Sequence, residues 1–284
     1  MQPQTQTNIM KTFYFMSGLP RSGSTLLTAL LNQNPEIYAS TNSPLLDTIH
    51  YTEEYLLHNS EQYKAHPKPE CAHNVLSSIP ENYYFNTSQN IIIDKSRGWV
   101  NQIGHIQDYI TKEPKIICPV RSIPDIISSF LNLVYHSKTT SFIDEALIKN
   151  NIEINNDNRA DYLMSFEGII GQSYHALSEA LCKGNHKYLL LVEYDDLVSQ
   201  SQKELNRIYD FLELPRFTHS FENIKPKFDE NDEVYKLEHM HTVRNKVEKI
   251  HRDNTKFLSK YIINKYKQME FWKKQTPKYS IFGI

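Results

Sequence analysis

The sequence predicts an α/β fold: a mostly parallel central sheet flanked by helices on both faces, in three layers. Two observations predict it. Four short runs are apolar nearly throughout, Thr12–Met16, Ile91–Ile93, Lys115–Val120 and Tyr188–Val192. Such runs suit strands covered on both faces, as in parallel sheets, better than half-exposed strands. Between them lie stretches with apolar residues at helical spacing, near 24–32, 45–65, 124–135, 160–182 and 202–213. Strands alternating with helices form parallel sheets.

Taken in order, residues 1–11 are polar and read as a disordered tail, and 12–284 as one domain with a helical C-terminal segment. Thr12–Met16 is an aromatic-rich strand, followed by the loop Ser17–Gly23 and the helix Ser24–Asn32, with Leu26, Leu27, Leu30 and Leu31 on one face. The strand at 91–93 ends at Asp94-Lys95, and the strand at 115–120 ends at Arg121. The strand at 188–192 ends at Glu193-Tyr194-Asp195. Segment 136–160 is polar and Asn-rich, an ordinary surface excursion or a lid. Thr255 to Trp272 again has helical spacing. In open α/β sheets, ligands bind beyond the carboxyl ends of the strands, so the residues just after each strand are the candidates for chemistry.

Composition narrows the function. Thirty-one Lys and Arg against 33 Asp and Glu leave a net charge of −2, which excludes a globally basic nucleic-acid binder and leaves room for a local basic pocket. Hydrophobic residues at 39% and aromatics at 12% supply a core. No apolar run approaches the roughly 20 residues that span a bilayer. No signal-peptide pattern is visible, and Cys71, Cys118 and Cys182 are scattered outside any CxxC pair. Together these suggest a cytoplasmic protein without a disulfide framework or structural zinc. The histidines show no HExxH spacing, so no metal is expected.

Gly18-x4-Gly23-Ser24-Thr25, between a strand and a helix, is the strongest signal. Glycines let backbone N–H groups turn inward, and the following helix adds unpaired N–H groups and its positive dipole end. The product is an anion cradle. The loop is nearly a Walker A sequence, but Ser24 stands where the lysine belongs. That lysine reaches the β/γ-phosphates, so an NTPase is disfavoured, and the cation sits upstream at Arg21.

Leu19-Pro20-Arg21-Ser22-Gly23-Ser24-Thr25-Leu26-Leu27 resembles the 5′-phosphosulfate loop of the sulfotransferase family, which transfers sulfuryl groups from 3′-phosphoadenosine 5′-phosphosulfate (PAPS). The PRSGST form is closer to the Golgi-type and bacterial branch than to the cytosolic one. The resemblance implies a P-loop-like fold, PAPS as co-substrate, 3′,5′-ADP as product, and a small-molecule, glycan or peptide acceptor. It assigns Pro20, Arg21, Ser22, Gly23, Ser24 and Thr25 to the co-substrate. A second stretch agrees: the family's 3′-phosphate site is an Arg after a strand with a Ser eight residues on, and here Arg121 precedes Ser129 by eight. Ser122, Pro124 and Asp125 suit a helix start, and Ser129 shares a face with Ser122. A third match, Glu193-Tyr194-Asp195-Asp196-Leu197, is similar to the family's YEDL stretch and implies Tyr194 near the nucleotide. The RKG…GDW ending of the cytosolic branch is missing; Arg244 in His241-Thr242-Val243-Arg244 is the candidate that closes over the nucleotide.

For catalysis, a Lys after the equivalent strand contacts the sulfate in the cytosolic branch, which implies Lys95 as charge stabiliser. The base is not inherited. Arg97 occupies the cytosolic histidine position, and the stretch matching the Golgi glutamate reads Ser40-Thr41-Asn42-Ser43. Asp47 and His50, after Pro44, are the nearest ionisable groups, and Asp47 is the expected base. Two other readings stay open. One is a P-loop kinase or NTPase with Asp94 as a Walker B-like magnesium ligand; the other is a non-catalytic nucleotide-binding module.

Overall fold

The computed structural model describes residues 11–249 and 253–273. The expected tail therefore lies outside the described residues apart from Lys11. That residue is anchored: its backbone N–H donates to Glu81 Oε1 at 2.9 Å and its ammonium to the Thr87 carbonyl at 2.7 Å.

Five parallel strands form the sheet: β1 (Thr12–Met16), β2 (Ile37–Asn42), β3 (Ile91–Lys95), β4 (Ile116–Val120) and β5 (Leu189–Glu193), in the order β2-β3-β1-β4-β5. Side chains alternate across a strand, and the two faces of β1 feed different cores. Phe13 and Phe15 join one, with Ile92, Ile116 and Cys118. Tyr14 and Met16 face the other, with Ile93 and Ile117. The same alternation turns Asp94 to the first face and Lys95 to the second. The sequence misses β2, whose IYASTN is polar; only Ile37, Ala39 and Ser40 are buried.

The second face is covered by α1 (Ser24–Leu31) and, further along the chain, by the helix Ser201–Leu212. On the other face lie α2 (Leu45–Glu53) and α4 (Pro69–Tyr83), with the short α3 (Glu61–Ala65) between them in sequence and burying no residue, then α5 (Ile103–Tyr109) and α6 (Ile123–His136). The helix expected over 45–65 is broken. A π-helical turn occupies Glu54–Asn59, and Ser60 restarts the chain by capping the Tyr63 N–H. Segment 136–160 holds α7 (Phe142–Lys149) and the start of α8 (Asn156–Met164), capped by Ser141 and Asn155 and tied by Arg159 Nε to Asp144 Oδ1 at 2.7 Å. The helix expected over 160–182 is two, because the chain turns at Ser165, whose hydroxyl accepts from the Gly168 N–H, before α9 (Ile169–Cys182) begins.

After β5 come α10 (Tyr194–Ser199) and α11 (Ser201–Leu212), and residues 213–249 return without a long helix. Phe221 and Ile224 pair with Val247 and Asn245 to hold this return. The spacing at 255–272 yields a shorter helix, α12 (Lys260–Lys267), capped by Ser259.

Order β2-β3-β1-β4-β5 places a topological switch beside β1: the chain leaves it toward β2 on one side and later crosses to β4 on the other. A ligand crevice opens at such a point. The chain enters it through Gly18, at φ +89°, where a Cβ would lie 2.4 Å from the Pro119 carbonyl oxygen. Gly18→Ala is therefore expected to destabilise the fold by more than about 2 kcal/mol, from left-handed strain plus overlap with backbone. Urea unfolding checks this; an unchanged midpoint refutes it.

Candidate functional site

A cleft of about 310 Å³ lies at the carboxyl edge of the sheet. Its floor is the loop after β1. Gly23 caps α1 at φ +91° with no side-chain cap and no acid in the first turn, so the N-terminal N–H groups and dipole of α1 face the cleft without an internal anion. Gly23 also has no room for a side chain, since a Cβ would meet Tyr194 Cδ2 at 2.7 Å.

Pro20, Arg21, Gly23, Ser24 and Thr25 line the cleft, as do Lys95, Arg121, Ser129, Tyr194 and Arg244. Ser22 does not. It is fully buried, and its hydroxyl donates to the Leu19 carbonyl and lies 2.9 Å from the Pro119 carbonyl, which fixes the loop against β4. Asp47 does not either. Leu45, Leu46 and Ile49 take the buried face of α2 and turn Asp47 to solvent, where it lines a shallow depression with Tyr51 and Tyr55. Its place in the first turn of α2 lets it complement that helix end.

The arginines meet. Arg21, itself at φ +56°, donates from Nε to Ser129 Oγ at 3.2 Å and from its guanidinium to the Met240 carbonyl. Arg121 lies over the Tyr194 ring at 4.2 Å and reaches the Arg21 carbonyl at 3.3 Å and Asp125 at 3.5 Å. It is 7% exposed, and its Nε is buried without a partner. A buried donor without an acceptor costs on the order of 1–3 kcal/mol, which an anion in the cleft would recover.

The far side of the cleft carries a cluster that sequence reasoning missed. Lys95 Nζ is 3.5 Å from Glu230 Oε1, with both side chains under one-tenth exposed. Glu230 Oε2 accepts from Asn42 Nδ2 at 2.9 Å. Asn42 Nδ2 also lies 3.2 Å from His241 Nε2, and His241 Nδ1 is 2.6 Å from Asp232 Oδ1. Burial pulls the His241 imidazole below its ordinary value, while its hydrogen bond to Asp232 and the charge of Glu230 oppose this. Burial likewise pulls the Lys95 ammonium down, with Glu230 opposing. A signal was present: a long return lacking helical period, carrying Asp229-Glu230-Asn231-Asp232 and His239-Met240-His241, is more often functional than idle.

Asp94 points away from the cleft. It is fully buried, accepting from the Tyr84 hydroxyl and from Trp99 Nε1 at 2.7 Å, and burial pushes its carboxyl up. It cannot serve as a magnesium ligand here.

A parallel sheet whose first loop leads a helix N-terminus into a cleft ringed by two arginines and a lysine defines a P-loop-type protein suited to phosphate or sulfate groups. Residues 14–219 match the family described as "Sulfotransferase family". The chain belongs to that family and is a sulfotransferase, an enzyme of sulfuryl transfer. No curated protein matches the chain. Among solved structures, the sulfotransferase domain from the curacin biosynthetic pathway is similar to it at 17% identity, over 92% of each chain, with a TM-score of 0.51. The sulfotransferase domain of the Synechococcus PCC 7002 olefin synthase shows 22% identity over 77% of this chain and 78% of that one, with a TM-score of 0.47. The first of these shares the fold.

Proposed function

We propose that the protein moves the sulfuryl group of PAPS to a hydroxyl or amine of a small-molecule, glycan or peptide acceptor and releases 3′,5′-ADP. The observation that carries this is the convergence of Arg21, Arg121 and Lys95 on one cleft floored by the loop 18–25. The loop N–H groups, Ser24 and Thr25 bind the 5′-phosphosulfate. Arg121, braced by Tyr194, takes the 3′-phosphate with Ser129, and Arg244 closes from the rim.

Sulfuryl transfer is an in-line displacement, so its demands are positioning and charge stabilisation. His241 Nε2 takes the acceptor proton as the acceptor–sulfur bond forms. The bond from sulfur to the 5′-phosphate oxygen breaks, and its electron pair stays on that oxygen, beside the loop N–H groups. Lys95 neutralises the sulfuryl oxygens. Asp232 holds Nδ1 of His241 so that Nε2 carries the lone pair. Thus His241 replaces Asp47 as the base. With Ser24 at the lysine position and Asp94 turned away, an NTPase finds neither of its parts.

Residues 12–284 are taken as one domain. The free cysteines Cys71, Cys118 and Cys182 support a cytoplasmic setting, and no helix among the described residues is long and apolar enough to cross a membrane.

Calorimetry without magnesium tests the reading. The protein is expected to bind 3′,5′-ADP about 10–100-fold tighter than 5′-AMP, the worth of one charge-assisted contact of roughly 1.5–3 kcal/mol. Arg121→Ala is expected to erase that preference. Equal binding of the two nucleotides by the native protein, or preference for ATP with magnesium, overturns the assignment.

A further inference from the structure

Outside the cleft, α2 and α5 bring three metal-ligating side chains together. His50 and Glu53 are one turn apart on α2, and His105 comes from the first turn of α5. Positions i and i+3 share a helix face, so His50 and Glu53 project side by side. One ligand atom from each of the three residues lies within 4.8 Å of the other two. We propose that His50, Glu53 and His105 form a site for a zinc-like divalent ion that clamps α2 to α5.

The donor set suits the ion. Two imidazoles and one carboxylate are zinc ligands, and a tetrahedral ion with bonds of about 2.0–2.2 Å sets its ligand atoms roughly 3.3 Å apart. The present spread closes to that by side-chain rotation, because His50 is exposed and free to swing. His105 Nε2 and Glu53 Oε2 are already 2.5 Å apart, in direct hydrogen-bond contact.

A supporting shell is built as well. Tyr109 donates its hydroxyl to the other carboxylate oxygen, Glu53 Oε1, at 2.6 Å. That bond orients Oε2 toward His105, as outer partners do for metal-bound carboxylates. The fourth position opens to solvent on the His50 side. None of the three ligands lines the sulfuryl cleft, so the proposal stands apart from the reading of that cleft. The sequence hides the site because His105 lies 52 residues from Glu53.

The experiment is calorimetric titration of the full chain with zinc chloride, together with visible absorption of the cobalt(II) form. The native protein is expected to bind one equivalent and to show the intense bands of four-coordinate cobalt. His50→Ala, which removes an exposed ring and leaves the Glu53–His105 contact intact, is expected to weaken zinc binding at least tenfold and to abolish those bands. His105→Ala is expected to do the same, with folding checked by circular dichroism. No zinc uptake by the native protein overturns the proposal. So does His50→Ala that binds zinc as the native chain does, since uptake then belongs to other surface histidines or to the exposed Cys71 and Cys182.

Discussion

His241→Gln is expected to lower turnover about 10²–10⁴-fold, the range for losing a general base, while leaving 3′,5′-ADP affinity within about twofold. Glutamine keeps the side-chain volume and a hydrogen-bond acceptor near Asn42 but cannot take a proton at neutral pH. The sign of the pH dependence follows from the site. The base must be neutral to work, and burial lowers the His241 value below that of a free imidazole. The acid limb of kcat/KM therefore lies below the ordinary histidine value. Asp232→Asn is expected to reproduce part of the loss by presenting the wrong tautomer to the acceptor. Turnover with labelled PAPS, once an acceptor is found by screening, measures both. A native-like rate for His241→Gln removes the base from this position.

The difference between Arg121 and His241 shows what sequence reading reaches. Arg121 stands just before α6, and a local periodic rule predicts that Ser122 and Ser129 share one face of that helix start. Lys95 and Asp94 are consecutive on a strand, and alternation alone separates the cleft residue from the buried one. His241, Glu230 and Asp232 obey no local period. Glu230 and His241 reach Asn42 across 188 and 199 residues of chain, and Asp232 holds His241, through a return that reads as scattered charge. Asp47 failed for a related reason. Its position after Pro44 set the helix phase correctly, yet which face of α2 is buried was decided by Leu45, Leu46 and Ile49 against the core. Strand β2 was missed because an edge strand buries little, and its Ser40, Thr41 and Asn42 look like turn residues. It is β2 that delivers Asn42 to the cluster, so missing the strand also hid the cluster.

Lys95→Met is expected to reduce turnover about 10²–10³-fold, comparable to removing one preorganised donor from an oxyanion site. Methionine fills the same space without the charge, so the effect reads electrostatics more than packing. The Lys95 side chain is 7% exposed and its ammonium pairs with Glu230 at 3.5 Å, a separation that leaves it able to turn to an arriving sulfuryl oxygen. Burial lowers its value while Glu230 and Arg97 pull in opposite directions. A lysine must stay protonated to stabilise negative charge, so lowering moves the loss of activity to a less alkaline pH than for an exposed lysine. The native enzyme is expected to show a bell-shaped profile, its alkaline limb set by Lys95 and its acid limb by His241. In Lys95→Met the alkaline limb disappears while the acid limb remains. Removing one partner of a buried pair leaves the other uncompensated, so a stability loss is also expected, and Lys95→Met with Glu230→Gln is expected to recover stability without recovering rate. Recovery of both in the double variant, or an alkaline limb unchanged in Lys95→Met, would reduce Lys95 to a structural partner of Glu230.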